Sequence, residues 1–277
     1  MNPNPFTKPD STSFDIDPEM LTRIQQQLVR IEQEEQVRIL YACESGSRAW
    51  GFPSQDSDYD VRFLYVHEPD WYLSIFDRRD VIERPIDDQL DVSGWDLRKA
   101  LRLFRKSNPP LLEWLQSPMV YREQAGAADA IRTLAESAFS PKACTFHYLH
   151  MARGNYRDYL QGEEVKRKKY FYVLRPLLAC AWIERFGSLP PMAFDELKDK
   201  LIPPGELRMA VDELLARKKS GVELKAEPRI AVINNYLEQQ IEHFEQSAPQ
   251  MTNSGESVDD RLDPLFRLVL RQAWKEN

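Results

Sequence analysis

Apolar and polar positions recur along this chain in two rhythms, and the change from one to the other divides it. From Pro18 to Glu35 the apolar residues Leu21, Ile24, Leu28 and Ile31 fall three or four apart, the spacing of an amphipathic helix. Pro18 suits the first turn of that helix. Two runs rich in β-branched and aromatic residues follow, one through Val37, Ile39, Leu40, Tyr41 and Ala42, the other from Val61 to Val66, and both read as strands. Trp71 to Phe76 reads as a short helix or turn after Pro69. Arg79 to Ile86 and Gln89 to Ser93 are expected to pair as a hairpin across Asp87-Asp88. Asp96 to Lys106 is helical, with Leu97, Leu101 and Phe104 as its stripe; Asn108-Pro109-Pro110 ends it, and Leu111 to Gln116 forms another helical turn.

Beyond about Ala125 the strand rhythm is gone. Helical spacing marks Ala128 to Ala138, Lys142 to Leu160, Val165 to Phe186, Pro204 to Lys219, Arg229 to Gln246 and Ser257 to Lys275. Pro and Gly clusters at Gly187 to Pro191 and Pro203 to Gly205 punctuate them, and Ser247 to Glu256 is polar and reads as mobile. The expected class is therefore α+β. An irregular segment (1–17) leads into a mixed-sheet unit (18–124), and a helical unit (125–277) follows.

Composition narrows the class. With 277 residues, 42% of them apolar and 11% aromatic, the chain can bury a substantial core. Its 37 basic and 44 acidic residues leave a net charge of −7, which argues against nucleic acid as the partner. Three widely spaced cysteines, Cys43, Cys144 and Cys180, point to reduced thiols, and no leader or membrane-spanning run is visible, so a cytoplasmic protein is expected.

The chemistry concentrates between Cys43 and Tyr65, C-E-S-G-S-R-A-W-G-F-P-S-Q-D-S-D-Y-D-V-R-F-L-Y. Side chains alternate along a strand, so Asp58 and Asp60 project the same way. Such close like charges call for a cation, and a hard divalent one with oxygen ligands is the natural match. Asp56, in the loop after Pro53, offers a competing register, but Asp60 is the one that opens the apolar run. Gly46 can take backbone angles closed to other residues and admits another group close to the main chain. In Gln89 to Ser93, Leu90 and Val92 share one face, which leaves Asp91 on the other as a third acid. The G-S-x10-S-D-x-D pattern resembles the signature of the polymerase-β-type nucleotidyltransferases. The longer text is similar to a family of uncharacterised bacterial nucleotidyltransferases of that kind.

The resemblance implies two Mg²⁺ ions (Mn²⁺ being an alternative) on Asp58, Asp60 and Asp91, with phosphates held by Gly46, Ser47 and Arg48. It also implies a nucleoside triphosphate donor, ATP among the candidates, and transfer of its nucleotidyl group to an acceptor hydroxyl with release of pyrophosphate. The acceptor could be a small molecule or a protein, as in antitoxin-like AMP-transferases of the superfamily; a non-catalytic nucleotide sensor is the other alternative. Related enzymes draw a cation and an aromatic from a helical domain. Lys168, Tyr172 and Arg175, spaced for one helical face, are the candidates, with Lys169 equivalent to Lys168. Glu44 reads as a structural hydrogen-bond acceptor. Cys144, His147 and His150 are ligand types at helical spacing, but with no fourth partner they read as packing.

Overall fold

The computed structural model describes residues 6, 16–87, 89–124, 126–221, 226–252 and 255–275. Most of the expected irregular leader, Asp88 of the hairpin turn, Ala125 at the expected boundary and Asn253-Ser254 of the polar segment lie outside them. The elements in chain order are α1 (Pro18–Glu35), β1 (Val37–Glu44), α2 (Gly46–Ala49), β2 (Tyr59–His67), β3 (Val81–Glu83), β4 (Leu90–Asp96), α3 (Leu97–Phe104), α4 (Pro109–Gln116) and β5 (Val120–Glu123). They continue with α5 (Ala127–Ala138), α6 (Pro141–Tyr159), β6 (Glu164–Lys166), α7 (Phe171–Phe186), α8 (Phe194–Leu201), α9 (Glu206–Lys219), β7 (Ala226–Pro228), α10 (Ala231–Ser247) and α11 (Asp259–Ala273). The fold is α+β.

Local chemistry accounts for many of the boundaries. The Asp17 carboxylate accepts from the Glu19 N–H at 2.8 Å, capping α1, and Gln36 ends that helix in the left-handed region at φ +52°. Pro109 and Pro110 do more than stop α3. They occupy the first turn of α4, where a missing N–H costs nothing, and the Asn108 side chain accepts from the Leu111 N–H at 3.2 Å.

Five strands form one sheet in the order β3-β4-β2-β1-β5. β2 and β4 run parallel, and the other neighbours are antiparallel. Alternation sends Val61, Phe63 and Tyr65 of β2 toward α1, where they meet Ile24, Leu28 and Ile31. Leu64 and Val66 point the other way, into a larger core shared with Tyr148, Leu177 and Phe244 of the helical half. The sheet is thus packed on both faces, and Asp60 and Arg62 belong to the face that the helical half covers.

The structure departs from the sequence expectation at three places. Val120–Glu123 pairs with β1 as an edge strand, though four residues are too few to show a period. Glu164–Lys166 pairs with Ala226–Pro228, so the segment expected to be helical from Val165 begins as a strand. It passes through a 3-10 turn at Arg167–Tyr170 and becomes α-helical only at Phe171. Finally, α8 forms between the two proline clusters.

Candidate active site

The break after β1 has a steric cause. Gly46 adopts φ +60°, and a Cβ built on it would stand 2.0 Å from Asp60 Oδ2. Any side chain there would meet both the left-handed penalty and a collision with the carboxylate. The Ser45 N–H donates to the Asp60 carbonyl at 2.9 Å, tying the turn to the start of β2.

Asp60 and Asp91 are register partners on the parallel pair β2 and β4, so their carboxylates stand side by side. Arg62, two residues along on the same face as Asp60, reaches both: its Nη2 is 3.1 Å from Asp60 Oδ1 and 2.8 Å from Asp91 Oδ2. Burial raises the Asp60 pKa; Arg62 opposes the shift, and Asp91 and Asp58 reinforce it. Asp58 precedes β2 and is exposed, within electrostatic reach of Asp60.

Glu44, at the end of β1, is buried and fully engaged. Its Oε1 accepts the Asp60 N–H at 2.8 Å, and its Oε2 accepts the Tyr121 hydroxyl. Desolvation pushes its pKa up to about 7 despite these donors. It acts as a hydrogen-bond acceptor that fixes the first residues of β2.

Arg48 turns back onto its own loop. Its guanidinium lies 3.6 Å from the Tyr59 ring centroid and donates to the Ser57 carbonyl at 2.7 Å and the Asp58 carbonyl at 3.3 Å. It pins the approach to β2. The Ser47 hydroxyl has no hydrogen-bond partner among the described residues.

From the helical half, Tyr172 and Lys169 come together: the Lys169 ammonium lies 4.9 Å from the Tyr172 ring centroid and 4.2 Å from that of Tyr159. The Tyr172 phenol is pushed up by desolvation and then by Asp60 and Asp58, and its ring centroid lies 5.9 Å from that of Trp50, just beyond the Gly46 turn. Lys168 is exposed, on the 3-10 turn rather than on α7.

The single helical face expected for Lys168, Tyr172 and Arg175 therefore does not form. Arg175 is 1% exposed, paired with Glu113, which also accepts from the Tyr148 hydroxyl, and it lies 4.8 Å from the Trp50 ring centroid. It is a buried structural ion and is kept from any phosphate. Arg175→Ala would strand the Glu113 charge and is expected to cost about 3–5 kcal/mol in urea unfolding; a loss under about 1 kcal/mol would contradict this role.

Several residues of the site escaped the sequence analysis. Trp50 and Phe52, from the glycine-rich stretch, dock the helical half. The Phe52 ring lies 4.8 Å from that of Phe171, tilted to it, and meets Phe194 edge to face at 5.4 Å, and the Phe194 N–H donates to the Trp50 carbonyl at 2.9 Å. Lys218, at the end of α9, donates to Ser54 Oγ at 2.7 Å and Ser57 Oγ at 3.2 Å. It has no carboxylate partner among the described residues. Desolvation and Lys168 lower its pKa, against Asp58 and Asp56. Nothing in the local sequence marks it. Arg62, by contrast, was findable by the same alternation that paired Asp58 with Asp60.

The donors suit a hard divalent cation: carboxylate oxygens only, side by side, with Asp60 desolvated. Even so, among the described residues no group of three His, Cys, Asp or Glu is arranged to hold a metal, and Arg62 lies between Asp60 and Asp91, two of the three acids. That result covers Cys144, His147 and His150 as well. Cys144 is wholly buried, and all three cysteines are free. No described helix is long and apolar enough to cross a membrane.

The chain is 53% identical over 257 residues, covering 93% of itself and 99% of the relative, to the uncharacterized protein YcgL of Bacillus subtilis (strain 168). A solved structure, a nucleotidyltransferase-like protein from Exiguobacterium sibiricum 255-15, is similar at 12% identity and a TM-score of 0.31, over 82% of this chain and 77% of that one. Residues 20–268 match the model of the RNA repair pathway DNA polymerase beta family, and the chain belongs to that family of polymerase-β-type nucleotidyltransferases.

Proposed function

We propose that the protein transfers a nucleotidyl group from a nucleoside triphosphate to an acceptor hydroxyl, with Asp58, Asp60 and Asp91 holding divalent cations. The observation that carries this is the register pairing of Asp60 with Asp91 against the Gly46 turn. Mg²⁺ or Mn²⁺ held there supplies charge neutralisation and lowers the pKa of the attacking hydroxyl. The chain's own residues bind and orient. Lys168 and Lys218, with no carboxylate partners among the described residues, neutralise the triphosphate tail, and the Ser47 hydroxyl donates to it. Tyr172, backed by Lys169, offers an aromatic face to the base. Arg48 keeps the Ser57-Asp58 segment in place through main-chain contacts.

In the reaction the acceptor oxygen bonds to the α-phosphorus, the bond from that phosphorus to the bridging oxygen breaks, and pyrophosphate leaves. The hydroxyl proton passes to solvent. Catalysis rests on positioning and charge, with no covalent enzyme intermediate.

The family match supports a second choice of acceptor, the terminal hydroxyl of an RNA, beside a small molecule or a protein side chain. Incubation with each α-labelled ribonucleoside triphosphate and Mg²⁺, in the presence of RNA oligonucleotides, metabolite extract or lysate protein, separates the three by where the label appears. Triphosphate binding without any pyrophosphate release would favour a nucleotide sensor. Absence of both binding and release, in folded protein, would end the proposal.

Lys218 gives a narrower check. Lys218→Met is expected to raise the KM for the triphosphate about tenfold while changing kcat less, since one ammonium–phosphate contact is lost. An unchanged KM would remove Lys218 from the phosphate site.

A further inference from the structure

Arg62 takes the place between the acids that a bound cation would need. Its side chain shares the face of Asp60, folds across the β2–β4 pair, and is 18% exposed. Nη2 touches both carboxylates, while Nη1 donates at 3.1 Å to the main-chain carbonyls of Val61 and Asp91. Facing carboxylates on neighbouring strands repel, and a guanidinium with its fork of donors can satisfy both. Glu44, the buried acid at the end of β1, is committed to Tyr121 and the Asp60 N–H and does not compete for Arg62.

We propose that Arg62 is a built-in counter-ion. It holds Asp60 and Asp91 together when no metal is bound and gives up at least one of them when a divalent cation arrives. This inference rests on the metal-dependent function proposed above. A cation and the guanidinium cannot both sit between the same two oxygens, and they repel each other at that distance. The metal alone therefore binds weakly. A metal carried by a triphosphate brings phosphate ligands and further negative charge, enough to displace the guanidinium. The two main-chain anchors keep Arg62 at the floor of the site, ready to close on the acids once the products leave. The order of binding follows: nucleotide and metal enter together.

The test is Mn²⁺ binding, followed by electron paramagnetic resonance and thermal melting, on wild type, Arg62→Gln and Arg62→Lys. Arg62→Gln is expected to bind Mn²⁺ alone about tenfold more tightly than wild type, because an opposing positive charge is gone. In chelator it should melt below wild type, and Mn²⁺ should raise its melting temperature by more. Should the Gln variant not fold, Arg62→Lys answers the same question. A single ammonium cannot reproduce the four contacts, so its Mn²⁺ affinity should lie above that of wild type. Wild-type or weaker Mn²⁺ affinity in a folded variant, with wild type binding Mn²⁺ in the presence of a triphosphate, would overturn the counter-ion role and leave the metal-dependent function standing. No Mn²⁺ binding by any of the three proteins, with or without triphosphate, would overturn both.

Discussion

Asp60→Asn is expected to reduce kcat by about a thousandfold or more while leaving the protein folded. Asp60 is the meeting point of the site. One carboxylate oxygen lies against the Gly46 turn, the other is shared with Arg62, and its neighbour across the strand pair is Asp91. Asn keeps the shape and an acceptor oxygen but removes the charge on which the proposed cation binding depends. Burial already works against that charge, raising the Asp60 pKa above its ordinary value. Its removal therefore relieves a desolvation cost as it weakens the Arg62 contact, and the melting temperature should change by only a few degrees. Single-turnover measurement of pyrophosphate release, beside a thermal melt, makes the comparison. Wild-type turnover in the variant would refute the assignment of Asp60.

Gly46→Val is expected to be the most damaging single change in the motif, costing about 2–5 kcal/mol of stability and nearly all activity. Two penalties coincide at this position: a left-handed φ of +60°, and a Cβ that would stand 2.0 Å from Asp60 Oδ2. A β-branched side chain is the worst occupant of that backbone region. Gly51 supplies the control. Its φ is +86°, but nothing lies within 4 Å of a Cβ built there. Gly51→Val should cost only the backbone strain, about 1–3 kcal/mol. Urea unfolding of both variants isolates the collision with Asp60. Equal losses would mean that backbone strain, and not the packing of the carboxylate against the turn, explains the glycine.

Local signals in the chain were sufficient for much of this architecture. The helical spacing of Ile24, Leu28 and Ile31 is the buried stripe of α1, and the alternation of Val61 and Phe63 with Arg62 and Leu64 is the two-faced packing of β2. The same period of two put Leu90 and Val92 opposite Asp91, and the structure sets Asp91 beside Asp60. These features are local: a side chain's face depends on its own backbone and a few neighbours.

Other features depend on which distant segments meet, and no local pattern encodes that. Val120–Glu123 is a strand because β1 offers it an edge, and Glu164–Lys166 because Ala226–Pro228 lies alongside. Lys168, Tyr172 and Arg175 were spaced for one helical face, yet the helix begins three residues after Lys168, and the Glu113 carboxylate and the Trp50 ring draw Arg175 into the core. Lys218 reaches Ser54 from 164 positions away. The chain alone determined α1, β1, β2, β4 and most of the later helices, with their inward faces, because short-range stereochemistry governs those. Tertiary packing decided which cations face the acids and which are buried as structural ions, because burial and charge pairing are set by segments that only the folded chain brings together.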